Sequence, residues 1–168
     1  MLPIVLTSDL PAGLAGAGEG LARRAELLKS AGVTAVRFDH AVPTDAEIAP
    51  LKVLFIAGLD DAAARALAAR TRRLGVLVNV EDVPELCDFH VPALVRRGDL
   101  VLTVSTGGRS PGLSRLVRED LEQRFGPEWD ERLDEIAALR GEWRACGLSP
   151  SEISQRTRDV VAERGWLE

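Results

Sequence analysis

The fold is decided by residues 52–80, KVLFIAGLDDAAARALAARTRRLGVLVNV. Lys52–Ala57 is a short apolar run of the kind found in strands that are buried on both faces. Asp60–Leu74 is rich in alanine and arginine and has a helical pattern, which Gly75 ends. Val76–Val80 is a second apolar run, rich in valine. A strand, a helix and a strand in this order predict parallel strands with a helix packed on their sheet.

The same alternation extends in both directions. The predicted elements upstream are a weak apolar run at Ala12–Ala15, a helix at Leu21–Ala31 that Gly32 ends, and a strand at Val33–Phe38. Those downstream are a helical segment at Pro84–Arg97 kinked at Pro92, a strand at Leu100–Ser105 and a helix at Pro111–Phe125. After Gly126-Pro127 the pattern is helical through Glu163. We expect an α/β fold with a mostly parallel sheet, followed by helices that pack on that sheet or on a second subunit.

The composition narrows the function classes. The chain has 168 residues, enough for one domain with a small helical extension, and its net charge is −5. An acidic chain without tyrosine is unsuited to nucleic acid, which selects basic surfaces and aromatic stacking platforms. No apolar run approaches the roughly 20 residues that cross a bilayer, and the N-terminus lacks the features of a secretory signal. We therefore expect a cytoplasmic protein that contacts neither nucleic acid nor a membrane.

The metal-binding residue types are sparse. Cys87 and Cys146 are too few and too far apart for a zinc site or a disulfide framework, and two reduced thiols suit a cytoplasmic protein. The two histidines, His40 and His90, cannot build a metal cage of familiar spacing, and a packed or half-exposed side chain is the plainer interpretation of His90. We predict no dedicated metal site.

The first candidate site is a turn with Gly16, Gly18 and Gly20, which opens a helix. Glycines at a strand-to-helix turn let backbone N–H groups approach a pyrophosphate, and the helix N-terminus favours its negative charge. Asp39, after the next strand, is a candidate acceptor for a ribose hydroxyl. The alternative is a flexible turn without a ligand, because Leu21 stands where a third small residue is usual.

The second candidate site is Asn79-Val80-Glu81-Asp82, at the C-terminal end of the last strand quoted above. The carboxyl ends of the strands line the binding crevice of an open α/β sheet, and a carboxylate there can accept a proton from a substrate. The alternative is structural, since Asp82 precedes Val83-Pro84 and is a natural N-cap for a following helix.

The third candidate site is residues 105–111, STGGRSP. Its last two residues start a helix with proline at the first helical position, and the hydroxyls and glycine N–H groups before them form a candidate anion-binding nest. An arginine in the same segment can grip a carboxylate through two hydrogen bonds. The candidate ligand-binding residues are Thr106, Gly107, Gly108, Arg109 and Ser110. The alternative is a glycine turn that only joins a strand to a helix.

These segments together resemble one family. Residues 78–122, VNVEDVPELCDFHVPALVRRGDLVLTVSTGGRSPGLSRLVREDLE, are very similar to the signature stretch of the precorrin-2 dehydrogenases, the dehydrogenase–ferrochelatase modules of siroheme synthases. The family pattern is Asn-Val-x-Asp after a strand, then Ser-Thr-Gly-Gly-x-Ser-Pro and a helix with Arg-x-x-Arg. Residues 16–32, GAGEGLARRAELLKSAG, resemble the glycine loop of the family, and Leu2-Pro3 resembles its usual opening.

The resemblance implies a Rossmann-like NAD-binding domain over residues 1–105, and a dimerisation region with a helical tail over residues 106–168. It implies that a homodimer removes two hydrogens from the tetrapyrrole precorrin-2, passing hydride to NAD⁺ and giving sirohydrochlorin. Many members of the family also insert Fe²⁺ in the same cleft, which makes ferrochelation a second activity to test.

The resemblance also assigns residues. Asp82 falls on the essential aspartate of the family, the proposed general base. The implied cofactor contacts are Gly16, Gly18, Glu19, Gly20, Asp39, His40 and Ala41. Thr106 falls on the loop hydroxyl of the family. With the candidate sites above, the predicted substrate contacts are Asn79, Thr106, Gly107, Gly108, Arg109, Ser110 and Arg115. Arg96 and Arg97 would add positive charge for the carboxylates of the substrate.

A second hypothesis is a non-catalytic homologue that binds a tetrapyrrole as a carrier or scaffold. Three departures from the family pattern motivate it. The connection from Asp39 to Leu51 is short, Leu59 replaces a hydroxyl residue that faces the cofactor, and Gly20-Leu21 replaces Val-Ala.

Overall fold

The structure is a computed structural model that describes residue 7, residues 9–38 and residues 40–167. The strands are β1 (Ala12–Gly16), β2 (Ala35–Arg37), β3 (Val53–Ala57), β4 (Leu77–Val80), β5 (Ala93–Arg97) and β6 (Leu100–Val104). The helices are α1 (Gly18–Ser30), α2 (Asp45–Ile48), α3 (Asp61–Arg73), α4 (Pro111–Arg124), α5 (Trp129–Ala145) and α6 (Pro150–Glu163), with a 3-10 helix at Pro84–Leu86. The strand–helix–strand unit predicted over residues 52–80 is confirmed.

The chain divides into two compact units, residues 1–91 and residues 92–168. The first contains β1 to β4 and α1 to α3, and the second contains β5, β6 and the last three helices. The sequence instead led us to expect a boundary after residue 105. The difference is the β5–β6 pair, which forms its own sheet and packs against α4 rather than joining the first sheet.

The first unit is built on a four-stranded parallel sheet with the strand order β2-β1-β3-β4. Ala12 of β1 lies beside Ala35 of β2 on one side and beside Val53 of β3 on the other. Parallel strands need a crossover between them, and α1, α2 and α3 lie in the three connections. The expected Rossmann-like α/β fold with a mostly parallel sheet is confirmed.

Two hydrophobic cores lie on the two faces of this sheet. Leu54 of β3 packs in the core that contains Leu67 of α3, whereas Phe55 packs in the core that contains Leu28 of α1. Neighbouring residues of a strand point to opposite faces, so both faces of β3 are covered and all five of its residues are buried. This explains why β3 is an unbroken apolar run rather than an alternating one.

The short connection between β2 and β3 is ordered by α2. Thr44 starts α2 with a capping box, in which the Glu47 carboxylate accepts a hydrogen bond from the Thr44 backbone N–H at 2.7 Å. Ile48 is fully buried in the core beside α3, and Arg70 of α3 donates to the carbonyl of Pro43. These contacts let the chain reach β3 without a long loop.

The outer edge of β4 is covered by side chains. Val78 donates its N–H to the Asp88 carboxylate at 2.9 Å, and the Asp88 N–H donates to the Val78 carbonyl at 2.8 Å. The Cys87 sulfur lies 3.2 Å from both the N–H nitrogen and the carbonyl oxygen of Val80. Arg72 donates from Nε to the Asp88 carboxylate at 2.8 Å and so holds this segment in place. Burial raises the pKa of the Cys87 thiol, which keeps the sulfur protonated and able to donate.

The helical segment predicted at Pro84–Arg97 is wrong. Only Pro84–Leu86 is helical, as a single 3-10 turn, and Ala93–Arg97 forms strand β5. Pro92 explains part of the difference, because proline restricts the preceding residue to extended backbone and removes a helix donor. The rest comes from pairing with β6, a contact that helical spacing cannot reveal.

A two-residue turn joins β5 to β6. Arg97 pairs with Leu100 in antiparallel register, and Gly98 takes a φ of 55° between them. The strand predicted at Leu100–Ser105 is therefore confirmed, but it lies in a separate antiparallel sheet. A glycine followed by aspartate between two apolar runs is typical of such a hairpin.

The second unit adds three helices to this hairpin. Arg97 is directed at the end of α4, where its guanidinium donates to the carbonyls of Phe125 at 2.7 Å and Glu122 at 3.1 Å. Arg132 of α5 lies over the rings of Trp129 and Trp166, at 5.0 and 5.4 Å from their centroids. The predicted helical tail is confirmed. Within the part of the chain that the structure describes, no helix has the length and apolar character needed to span a membrane.

Candidate functional site

The strands β2, β1 and β3 are neighbours in the first sheet, and because they are parallel their carboxyl ends lie at the same edge of that sheet. From β1 the chain crosses to β2 on one side, and it then returns to β3 on the other side. A parallel sheet with such a switch opens a crevice between the loops that leave the two neighbouring strands. Here the loop after β1 carries Gly16, Ala17 and Gly18, and the loop after β3 carries Gly58 and Leu59.

The two loops touch through their backbones. Gly16 has a φ of 126° and Gly58 a φ of 69°. A Cβ on Gly16 would overlap the carbonyl of Ala57, and a Cβ on Gly58 would overlap the carbonyl of Ala17. The Ala17 N–H donates to the Ala57 carbonyl at 3.1 Å. Only glycine fits at these two positions, so this part of the crevice is bare backbone that a ligand can approach closely.

Helix α1 begins at this bare backbone without a side-chain cap. Its N-cap is Ala17, and no side chain of the described residues caps the first turn. Gly18 has a φ of 70° and open space around it. The first N–H groups of α1 therefore remain for an external anion, which the helix dipole favours. This arrangement fits the diphosphate of a dinucleotide, and it brings together the predicted contacts Gly16, Gly18, Glu19 and Gly20.

Asp82 follows β4 at the same edge of the sheet. Its φ is 60°, and it is the sole non-glycine residue with a positive φ among those described. Such backbone costs of order 1–3 kcal/mol, less for aspartate than for most residues, and strained residues of this kind cluster at functional sites. The side chain is exposed, and no hydrogen bond or ion pair from residues 9–38 or 40–167 holds its carboxylate. The carboxylate is therefore free to accept a proton from a bound molecule.

The alternative role of Asp82 as a helix N-cap is wrong. The next helical turn has Val83 as its N-cap and carries no side-chain cap. The physical reason is that the chain continues from Asp82 into a single 3-10 turn instead of an α-helix, so there is little helix end to cap.

Glu81 lies at this edge within the second candidate site, but the sequence gave it no separate role. It directly follows β4, and its carboxylate reaches the first turn of α1, where a Cβ on Gly20 would overlap Oε2. The Glu81 side chain is 18% exposed and lies 3.6 Å from the Arg23 guanidinium. Glycine at position 20 therefore makes room for a carboxylate, a contact between distant parts of the chain that local spacing could not reveal.

Asn79, predicted to contact a ligand, is only 5% exposed. Its side-chain amide donates to the Phe89 carbonyl at 2.9 Å, and the same nitrogen lies 3.6 Å from the Cys87 sulfur. The Asn79 side chain therefore holds residues 87–89 beside β4. The side chain is not part of the exposed edge that Asp82 occupies.

The segment after β2 carries the remaining predicted cofactor contacts. Asp39 lies outside the described residues. His40 is exposed, and its Nε2 lies 3.1 Å from the Glu47 carboxylate, while Ala41 is half-buried beside it. The Thr44 hydroxyl, which donates to Glu47 at 2.7 Å, holds the pKa of that carboxyl below its usual range. His40 is thus positioned by the α2 capping box.

The third candidate site, residues 105–111, lies in the second unit and is held by its own hydroxyls. Thr106 Oγ1 accepts a hydrogen bond from the Ser110 N–H at 3.2 Å and lies 3.0 Å from the Ser114 hydroxyl. Ser110 caps α4 by accepting from the Leu113 N–H at 3.3 Å, which confirms the predicted helix start. Thr106 and Ser110 thus hold the loop through their hydroxyl groups.

The exposed part of this loop is glycine and arginine. Gly107 and Gly108 have φ values of 62° and 79°, with open space around both. Arg109 is exposed, and in the described part of the chain its guanidinium has no ion-pair partner. Arg115 instead pairs with Glu119 at 2.9 Å, which raises the pKa of the arginine. Arg109 is therefore the cation of this loop that remains available for an incoming carboxylate.

Arg97 donates its hydrogen bonds at the end of α4, as described above, whereas the Arg96 Nε is buried and has no hydrogen-bond partner among the described residues. Among the residues that the structure describes, no group of three or more His, Cys, Asp or Glu side chains is placed to hold a metal ion.

Two family profiles match consecutive parts of the chain. Residues 35–93 match a profile described as "Putative NAD(P)-binding", and residues 97–124 match "Sirohaem biosynthesis protein central". The fold is similar to that of a structure titled "SirC, precorrin-2 dehydrogenase", with a TM-score of 0.74 and 17% identity, over 99% of this chain and 93% of that one.

Relatives are similar over most of this chain. The siroheme synthase of Methylococcus capsulatus is 38% identical over 202 residues, which cover 99% of this chain and 43% of that protein. The siroheme synthase of Methylobacillus flagellatus is 36% identical over 94% of this chain and 37% of that protein. The chain thus spans about two fifths of the length of these relatives. The two profiles, these relatives and the fold confirm the resemblance found in the sequence, and the chain belongs to the family of siroheme synthases and precorrin-2 dehydrogenases.

Proposed function

We propose that the chain catalyses the NAD-dependent dehydrogenation of precorrin-2 to sirohydrochlorin. The observation that carries the proposal is the edge of the first sheet, where an uncapped helix start over bare backbone lies along the same edge as the free carboxylate of Asp82. The match of residues 35–93 to an NAD(P)-binding profile supports the cofactor, and the siroheme synthase relatives support the substrate.

The chemistry divides between the cofactor and the chain. NAD⁺ supplies a hydride acceptor when bound. The backbone N–H groups at Gly16–Gly20 hold the diphosphate, and His40 and Ala41 lie on the β2 side for the adenosine half. Asp82 accepts the proton that leaves precorrin-2 and passes it to water, since its side chain is exposed. One hydride and one proton leave the substrate, so two hydrogens and two electrons are accounted for.

In this proposal the second unit binds the substrate and forms the dimer interface. Arg109 binds a carboxylate of the tetrapyrrole, because it is the exposed and unpaired cation of its loop among the described residues. A homodimer forms through α4, whose exposed apolar side chains lie at helical spacing on one face. These side chains are Leu113, Leu116 and Val117. The reaction takes place in the cytoplasm, which accords with the two free cysteines.

An anaerobic assay tests the dehydrogenation. Purified protein, NAD⁺ and enzymatically made precorrin-2 are mixed, and the absorbance of NADH and of sirohydrochlorin is followed. We expect turnover well above the protein-free rate. Asp82→Asn removes the base but keeps a side chain that tolerates positive φ, so we expect a rate at least about 100-fold lower without loss of the fold.

Asp134→Asn is the matched control, an exposed carboxylate of α5 that should leave the rate unchanged. Full activity of Asp82→Asn would contradict the role of Asp82. An inactive wild type that still binds the tetrapyrrole would instead support the second hypothesis, a non-catalytic carrier or scaffold. Adding Fe²⁺ to the product and following siroheme absorbance tests iron insertion separately.

A further inference from the structure

Glu81 is the largely enclosed carboxylate of the cofactor crevice. Its backbone N–H donates to the Ile56 carbonyl at 2.9 Å, which extends β4 along β3 and fixes where the side chain begins. The side chain then reaches the first turn of α1, against Gly20, which is itself buried. A larger residue at position 20 would push the carboxylate away, so the chain is built to hold Glu81 at this place.

The Glu81 carboxylate has few partners in this position. Arg23 is its ion-pair partner at 3.6 Å, but that guanidinium is 64% exposed and also lies 3.9 Å from Glu19. Within the described part of the chain, no N–H or O–H group donates a hydrogen bond to Glu81. An enclosed carboxylate normally receives several such hydrogen bonds. Glu81 therefore has unused acceptor capacity directed into the crevice.

The position of Glu81 defines which donor it can meet. It lines a shallow cavity of about 120 Å³ together with Gly58, Leu59 and Val83, over the ends of β3 and β4. The adenosine half of a dinucleotide belongs on the other side of the switch, towards β2. A ligand that crosses the helix start of α1 consequently extends its second half over Glu81.

We propose that Glu81 accepts hydrogen bonds from the ribose hydroxyls of the nicotinamide half of the cofactor, an inference that rests on the proposed NAD-dependent function. Ribose hydroxyls are donors, whereas a phosphate at neutral pH offers a carboxylate only repulsion. Glu81 is thus a specificity-determining residue: it selects a dinucleotide over a nucleotide that ends in its diphosphate.

The test compares two ligands that share the adenosine diphosphate part. ADP-ribose carries the second ribose, whereas ADP lacks it and ends in a more highly charged phosphate, so the ratio of their affinities reports both a ribose contact and charge repulsion. Glu81→Gln separates the two, because it removes the charge but keeps an acceptor oxygen. Calorimetric titration of the wild type should show NAD⁺ and ADP-ribose binding more tightly than ADP. In Glu81→Ala we expect the preference for ADP-ribose to fall about tenfold, and in Glu81→Gln, which keeps one acceptor oxygen, to fall less.

Gly20→Ala is a second variant that retains the charge but displaces the Glu81 carboxylate. We expect it to lose the same preference for ADP-ribose. Glu26→Gln, an exposed carboxylate further along α1, is the control and should keep the wild-type ratio. Thermal unfolding of each variant shows whether it is folded.

The outcomes separate this inference from the proposed function. If the wild type binds NAD⁺ and the ratio is unchanged in Glu81→Ala, the contact with Glu81 is refuted while the cofactor stands. If the preference for ADP-ribose falls as far in Glu81→Gln as in Glu81→Ala, because ADP gains affinity in both, the carboxylate only repels the phosphate, and the inference is again refuted. If the wild type binds neither NAD⁺ nor ADP, the proposed cofactor fails and this inference fails with it.

Discussion

Two glycine loops each lead from a strand into a helix, and they differ in how the first N–H groups of that helix are satisfied. The loop from β1 to α1 has no side-chain cap, and its helix starts at Ala17 over bare backbone. The loop from β6 to α4 is satisfied from within, because Thr106 bonds Ser110 and Ser110 caps the helix. In our proposal the first loop binds an anion through its backbone N–H groups, and the second loop binds a carboxylate through Arg109. The difference shows that glycine content alone does not identify a phosphate site.

The largest expected difference between the loops concerns their glycines. Gly16→Ala places a Cβ against the Ala57 carbonyl at a φ of 126°, so we expect a loss of about 3 kcal/mol or more in the free energy of unfolding. Gly107→Ala has open space and a φ of 62°, so we expect only about 1 kcal/mol. Urea unfolding of both variants measures this, and equal losses would contradict the contrast.

The next effect concerns the internal hydrogen bonds of the second loop. Thr106→Val keeps the shape of the side chain but removes the hydroxyl that joins Ser110 and Ser114. We expect the free energy of unfolding to fall by about 1–2 kcal/mol, because the Ser110 N–H loses its acceptor. NAD⁺ affinity should not change, since this loop makes no contact with the cofactor in our proposal. A change in NAD⁺ affinity measured by calorimetry would show that the two loops are coupled.

The third contrast adds an N-cap side chain to α1 in one variant and removes the N-cap side chain of α4 in another. Ala17→Ser gives α1 the cap that it lacks, and we expect about 0.5–1 kcal/mol of added stability together with weaker NAD⁺ binding, because the hydroxyl competes for the same N–H groups. Ser110→Ala removes the cap of α4 and should cost about 1 kcal/mol. Thermal unfolding and calorimetry measure the two effects, and tighter NAD⁺ binding by Ala17→Ser would contradict an anion site at α1.

The smallest expected effect is on the pH dependence of stability, and it comes from the glutamates in the capping boxes of α2 and α6. The Ser149 hydroxyl lowers the pKa of Glu152, as the Thr44 hydroxyl lowers that of Glu47. Because the pKa values are lower in the folded state, these groups stabilise it fully above the unfolded value of ~4.3, and that contribution is lost as the pH falls through the folded values. We expect thermal unfolding of Glu47→Gln and Glu152→Gln to depend less on pH between about 5 and 3 than the wild type. The α1 start offers no such group.

Much of the fold could be predicted because its signals are local. The apolar run at Val53–Ala57 and the helix that follows need no knowledge of distant residues. The β5–β6 hairpin was missed because Ala93–Arg97 becomes a strand only through its partner β6. The capping box at Ser149 and Glu152 has a recognisable spacing and could have been found.

The candidate site was predicted in part, for similar reasons. The positions of Gly16, Gly18 and Asp82 at one sheet edge could be predicted because these residues follow predicted strands, and their roles stay predictions. Glu81 was named with the second candidate site but given no role of its own, because its contact with Gly20 joins residues that are far apart in sequence. Asn79 was predicted to contact the substrate, but its side chain is buried by residues 87–89. The sequence could not show this burial, because residues 84–97 were predicted to form a helix.

The covered edge of β4 has a consequence for how the molecule behaves among its own copies. An open edge strand is a template on which another chain can pair, and this is a common route to aggregates. The outward backbone groups of Val78 and Val80 are already taken by Asp88 and Cys87. A second molecule would have to displace both side chains before it could add a strand there. Two short side chains thus end the sheet at β4 and oppose the addition of a further strand at this edge.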